Sequence, residues 1–279
     1  MTKKVTKSQT AYWQYGDENA KKTLVLIHGY RGTHHGLELI AEQLVSRGYF
    51  VIVPDIAGFG ESGEMEHYHL EDYQVWLKNF FAELDLKKKP DLLGHSFGSI
   101  IVASFAKDNA DKFGKLILLN PIPAPVSDSK TIADYFGNGY YRLGAHLPKK
   151  MAKKWFSSKA VTLIASEFMI KNRTKENRQV INHAHLEHFS DFNSVKSLTE
   201  SYQASSINSV KEFASSITSQ TLMIVGDLDD IAPYKKQLEL KKLFKNVTFK
   251  KITGVGHLTH YETPERVGEI VDEFIQQKN

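Results

Sequence analysis

Short apolar runs rich in valine, isoleucine and leucine alternate along this chain with amphipathic segments of about 10 to 15 residues. The runs Thr23–Ile27, Phe50–Val53, Asp91–Gly94, Lys115–Leu119, Thr221–Val225 and Val247–Ile252 predict strands. Helical periodicity lies between them, near Gly36–Ser46, Leu70–Leu84, Phe97–Lys107, Tyr234–Phe244 and Pro264–Gln276. Strands that are apolar at nearly every position are covered on both faces. This order therefore predicts an α/β class built on a mostly parallel, doubly wound sheet. Ala11–Tyr15 reads as an antiparallel strand at the sheet's edge.

One interval breaks the alternation. Asn120-Pro121-Ile122-Pro123-Ala124-Pro125 leaves the fourth predicted strand in a conformation that cannot continue it, and no strand of the earlier type returns until Thr221. The intervening sequence is rich in lysine, serine and aromatic residues at helical spacing, and is far too long for an ordinary loop. It predicts a helical insertion over residues 121–215, set between a first core part at 1–120 and a second at 216–279.

Composition narrows the function classes. The chain has 279 residues, is 41% hydrophobic and 24% charged, and carries a net charge of +4, the profile of a globular domain with a full core. Its lysines are scattered, with no compact basic stripe interleaved with aromatics, so nucleic acid is not an expected partner. The absence of cysteine excludes disulfides, thiolate metal sites and a cysteine nucleophile. The polar opening MTKKVTKSQT lacks a secretory signal, and no apolar run is long enough to span a bilayer, so the expected location is the cytoplasm, without integral membrane association.

The chemistry centres on Gly94-His95-Ser96-Phe97-Gly98, between the apolar run Asp91-Leu92-Leu93 and the helical Ser99–Ala103. A serine at the apex of a sharp strand-to-helix turn projects its hydroxyl clear of the sheet, with the next residue's N–H facing the same space. That hydroxyl needs a base, and the base needs a carboxylate to fix its tautomer. Asp227, Asp229 and Asp230 follow one predicted strand and His257 follows the last, both at carboxyl ends, where ligands bind in parallel sheets. His28-Gly29-Tyr30 closes the first long strand, so the N–H groups of Tyr30 and Phe97 are candidate donors to an oxyanion.

These segments resemble the α/β-hydrolase superfamily, in its cap-bearing group of small bacterial hydrolases. The likeness covers Thr23–Lys107 and Thr221–Gln276 and is weaker in the insertion. His28-Gly29 matches that family's oxyanion loop, Asp55 to Ser62 its D-x-x-G-x-G-x-S turn, and Gly94 to Gly98 its nucleophile elbow. Gly226, Asp229 and Pro233 fit G-x-x-D-x-x-x-P, which selects Asp229 as the acid, and His257 fits the histidine loop, with His260, Glu262, Pro264 and Val267 behind it. Some relatives carry the acid after the preceding strand, where this chain has neutral Asn120. Relatives acting on epoxides or carbon–halogen bonds have aspartate in place of Ser96.

The resemblance implies a cofactor-free serine hydrolase with Ser96 as nucleophile, His257 as base and Asp229 as acid. The expected activity is that of a carboxylesterase taking small to medium acyl esters. The helical cap is expected to supply the substrate pocket from Tyr135, Phe136, Tyr140, Trp155 and Phe168, with Arg31 meeting either a substrate carboxylate or a surface acid. Hydrolysis of a carbon–carbon bond in a ring-cleavage dienone is the alternative within the fold. A non-catalytic ligand-binding protein on the same scaffold is the alternative outside enzymes.

Other polar clusters have plainer readings. His28 is expected to pack beneath the oxyanion loop and His95 to support the site from behind. His34 and His35, adjacent at a helix start, are expected to point apart and hold no metal. His183, His185 and His188 lack a completing carboxylate pattern. Lys149, Lys150, Lys153 and Lys154 beside Met151, Trp155 and Phe156 read as a solvated basic helix face, with a membrane-surface or anionic-substrate patch as the alternative.

Overall fold

The apolar runs fold as strands buried on both faces, apart from Val247–Ile252, which lies at the sheet's edge and is mostly half-buried. A computed structural model describes residues 1–125 and 132–277, and their side chains except those of 132–138. The strands are β1 (Thr2–Val5), β2 (Ala11–Tyr15), β3 (Thr23–Ile27), β4 (Phe50–Pro54), β5 (Asp91–His95), β6 (Leu116–Leu119), β7 (Thr221–Gly226) and β8 (Val247–Ile252). The helices of the core are α1 (Glu38–Val45), α2 (Leu70–Glu83) and α3 (Phe97–Ala106), then α9 (Tyr234–Lys241), α10 (Thr259–Glu262) and α11 (Pro264–Gln276). Between β6 and β7 run α4 (Ile132–Ala145), α5 (Lys149–Phe156), α6 (Lys159–Met169), α7 (Lys175–His188) and α8 (Val195–Ile207).

The eight strands lie in the order β1-β2-β4-β3-β5-β6-β7-β8, parallel from β4 to β8 and antiparallel at β1 and β2. Successive residues of each central strand feed two separate cores. Val25, Leu92, Leu118 and Met223 pack toward α2 and α3, while Leu24, Leu93, Ile117 and Ile224 pack toward α1 and α11. This two-sided burial is why the strands lack polar alternation.

The edge differs from expectation. Ala11–Tyr15 is antiparallel but interior, since β1 pairs outside it with Val5 opposite Ala11. β1 has no buried face, so apolar periodicity gives no sign of it. Backbone pairing and a tight turn form it, with Thr6 N–H donating to Thr10 O and Gln9 at a φ of 64°. Lys3 and Lys4 blunt the exposed edge against further pairing.

The Asp55 to Ser62 motif is a structural turn. Asp55 Oδ1 accepts the His34 N–H at 2.6 Å, Oδ2 accepts the Glu61 N–H at 2.9 Å, and Ser62 Oγ donates to Asp55 O and accepts from Ala11 N–H. It ties the end of β4 to β2 and to the turn before α1.

A closer constraint joins α3 to the sheet. A Cβ on Gly98 would overlap the carbonyls of Ile27 and His28 at the end of β3. Because these obstacles are backbone, Gly98→Ala should lower unfolding free energy by about 1–3 kcal/mol. Gly139→Ala, whose Cβ meets nothing within 4 Å, should not. Urea midpoints of both variants check the contrast.

Candidate active site

Ser96 occupies the turn between β5 and α3 at φ 52° and ψ −120°, a backbone conformation that L-residues rarely adopt. The strain is held by neighbours. Ser96 N–H donates to Leu119 O at 3.2 Å, and Ser99 N–H donates to Ser96 O at 2.8 Å. Phe97 is the first residue of α3, so its N–H has no carbonyl a turn earlier within the helix. Gly29 lets the loop after β3 lie against this turn, for a Cβ there would sit 3.1 Å from the Ser96 Cβ.

His257 reaches Ser96 from the loop after β8. Its Nε2 lies 2.7 Å from Ser96 Oγ and its Nδ1 lies 2.8 Å from Asp229 Oδ2. Asp229 Oδ1 accepts the N–H groups of Ile231 and Ala232 at 2.9 and 2.8 Å, and Oδ2 also accepts from Asn120 Nδ2 at 3.0 Å. Burial alone would raise this carboxyl, but the His257 ring, the Ala232 N–H and the Asn120 amide outweigh it and hold Asp229 below the usual carboxylate value. An ionised Asp229 fixes a proton on Nδ1 and leaves the His257 Nε2 lone pair facing the serine hydroxyl.

Above this chain of hydrogen bonds lies a cavity of about 660 Å³, lined by residues of the core loops and of the insertion. Ile122, Phe168, Met169, Phe189, Leu258 and Tyr261 give it apolar walls. Tyr141, stacked on Tyr202 at 3.8 Å, also lines it.

A family model for the α/β hydrolase fold matches residues 22–264. The chain belongs to that family. The uncharacterized hydrolase YugF of Bacillus subtilis is 23% identical to it over 269 residues, covering 95% of this chain and 94% of that one. A Pseudomonas putida 2-hydroxy-6-oxononadienedioate/2-hydroxy-6-oxononatrienedioate hydrolase is 25% identical over 271 residues, 91% of this chain and 88% of its own. An esterase from Thermogutta terrifontis shares the fold, with a TM-score of 0.78 and 21% identity over 99% of this chain and 97% of that one. The protein is a hydrolase. Among its described residues no helix is long and apolar enough to cross a membrane.

Several residues of this hydrolase lie differently from the sequence reading. Tyr140 and Trp155 are absent from the cavity wall. They pair with each other, the Tyr140 hydroxyl donating to Trp155 O at 3.0 Å and the Trp155 indole donating to Tyr140 O at 3.2 Å. The helical turn instead carries Tyr141, one residue on, to the inner side. Phe168 does reach the cavity, while the side chains of Tyr135 and Phe136 lie outside the described residues. His34 and His35 do not diverge. Asp55 pins the edge of the His34 ring, and a column of rings runs Trp13–His34–His35–His188 at centroid spacings of 3.3, 3.9 and 3.9 Å. Among the described residues no group of three or more metal-ligating side chains is gathered.

Among the described residues Arg31 meets no surface acid. It is only 4% exposed, and its Nε donates to Phe189 O at 3.0 Å and its Nη2 to Phe156 O at 2.7 Å. These carbonyls belong to the C-terminal ends of α7 and α5, so one guanidinium of the core sits against the negative ends of two insertion helices. Glu262 makes a second tie. Its carboxylate accepts the N–H of Gly256 on the histidine loop and those of Lys171 and Asn172 between α6 and α7.

Asn120 holds more than sequence comparison assigns to it. At a φ of 44°, its amide donates to Asp229 Oδ2 and to Gly256 O at 3.1 Å, linking the carboxylate to the residue before His257. Asn120→Leu, which keeps the branched outline and removes both bonds, should lower turnover by about ten- to a hundredfold, as expected for hydrogen bonds to a charged group. It should also move the acidic limb of the pH–rate profile upward, which a steady-state pH series would register.

His95 lies beneath, donating from Nε2 to His257 O at 3.1 Å. Burial and the neighbouring His257 push its pKa down to about 3, against 6.5 for an ordinary histidine. Between those values the unfolded chain binds the additional proton. Stability should therefore fall as pH drops from about 6.5 toward 3, by up to about 1.4 kcal/mol per pH unit from this residue. Urea unfolding across that range should give a shallower slope for His95→Gln, which keeps a donor to the His257 carbonyl without the titration.

Proposed function

We propose that this hydrolase is a serine carboxylesterase that cleaves small to medium acyl esters through an acyl-serine intermediate. The observation that carries the reading is the continuous chain Ser96–His257–Asp229, with links of 2.7 and 2.8 Å, beneath a largely apolar cavity. Ser96 Oγ attacks the ester carbonyl carbon while His257 Nε2 takes its proton. Asp229 stabilises the resulting imidazolium without accepting the proton. The N–H groups of Tyr30 and Phe97 receive the charge on the carbonyl oxygen, each such donor contributing on the order of 10²-fold or more in rate. His257 then protonates the departing alcohol, and a water activated by the same ring releases the acid and restores Ser96. Protein groups and water suffice for every step.

In this reading residues 121–215 form a cap over the catalytic core of residues 1–120 and 216–279. Phe168, Tyr141 and Phe189 supply the acyl or alcohol pocket. Carbon–carbon bond hydrolysis is the second reading, and the Pseudomonas putida relative favours it. The cation that would hold a dienoate carboxylate, Arg31, is already engaged by two helix ends, so the ester reading has the stronger support.

A series of p-nitrophenyl esters from acetate to decanoate tests the proposal. Wild type should show a clear optimum in acyl length, Ser96→Ala should abolish turnover, and Asp229→Asn should lower kcat by about 10⁴-fold. Wild-type rates no higher than those of Ser96→Ala, or full activity in Asp229→Asn, would overturn it.

A further inference from the structure

The insertion carries a charge and a surface that ester chemistry does not call for. From Tyr135 to Ser166 the sequence contains six lysines and arginines and no aspartate or glutamate, in a chain whose total net charge is only +4. Lys149, Lys150, Lys153 and Lys154 on α5 are all exposed, and among the described residues none of them lies within ion-pair distance of a carboxylate. Four cations left without an ion-pair partner among the described residues of one helix repel one another, so an anionic partner there would relieve a standing cost.

Two helices of the insertion also expose apolar side chains where a solvated helix should be polar. On α6, Thr162 and Ser166 face inward, Ser166 Oγ donating to Asn182 Oδ1 on α7 at 2.6 Å. Ile164 and Phe168, at the same four-residue spacing, face outward at 71% and 49% exposure. This is the reverse of an ordinary surface helix. On α5, Ala152 and Phe156 are buried while Met151 is 58% exposed, flanked by the lysines. Trp155 stands at the boundary of this face, and Phe168 both belongs to it and lines the cavity, so the rim of the cavity lies on it.

We propose that the outer face of α5 and α6 docks on an anionic lipid bilayer surface, with the cavity rim turned toward the lipid. Lysines beside large aliphatic side chains and a boundary tryptophan suit the plane where headgroup charge meets acyl chain. A nucleic acid would neutralise the lysines and leave Ile164 and Met151 in water. A second copy of the chain in a two-fold interface would set the same cations against each other. The inference concerns where the protein sits and does not depend on which bond it cleaves.

Co-sedimentation of the full chain with phosphatidylcholine vesicles, with and without phosphatidylglycerol, tests it. Binding is expected only to the anionic vesicles and should weaken with salt. Lys150→Gln with Lys154→Gln should reduce partitioning by roughly tenfold or more. Ile164→Ser should reduce it without changing the salt dependence, and both variants should hydrolyse a soluble ester at the wild-type rate. Three results would each overturn the proposal: failure of wild type to bind anionic vesicles, binding that is indifferent to Ile164→Ser and is matched by duplex DNA, or an Ile164-dependent dimer in sedimentation velocity that excludes vesicles.

Discussion

The site depends on how closely the first turn of α3 approaches the ends of β3 and β5. Only a residue without a side chain fits at Gly98, so the helix starts hard against the Ile27 carbonyl and the chain must turn sharply at Ser96. That turn forces a positive φ on a serine and lifts its hydroxyl out of the sheet. Everything assembled around it is oriented by loops that leave the carboxyl ends of adjacent parallel strands: Gly29 and Tyr30 after β3, Asn120 after β6, Asp229 after β7 and His257 after β8. The sheet converts residues spread over the whole chain into neighbours a few ångströms apart.

Polar groups at this edge are arranged so that the charge they hold stays fixed. Asp229 receives hydrogen bonds from two backbone N–H groups, an amide and a ring nitrogen, which stabilise its anion against the cost of burial. The histidines behind it are kept neutral by that burial. His28 uses both ring nitrogens, donating to Gly29 O and accepting from Ile56 N–H, and so supports the loop without adding charge. A preorganised environment of this kind changes little as charge develops on a reacting oxygen, which is the physical basis of electrostatic catalysis.

The inner strands, and the meeting of Ser96, Asp229 and His257 at strand ends, were legible because each of these residues follows a predicted strand and is marked by local glycines and loop chemistry. What the sequence hid was long-range or phase-dependent. Thr2–Val5 pairs through its backbone and buries nothing, so periodicity has no purchase on it. Choosing Tyr140 over Tyr141 required the rotation of α4 to within a third of a turn, which its neighbours on α5 and α8 decide. The ties made by Arg31 and Glu262 to the insertion were hidden, because these partners are backbone groups ninety or more residues away and backbone leaves no mark in a sequence.

Arg31 links the insertion to the candidate site mechanically. It is the residue directly after Tyr30, so the peptide that would face the developing oxyanion and the guanidinium that caps α5 and α7 share one short stretch of backbone, itself held at a φ of 58°. Raising the insertion off the core would break both helix-end contacts at once. The conformation of the loop after β3 and the seating of two insertion helices are therefore set by one and the same side chain.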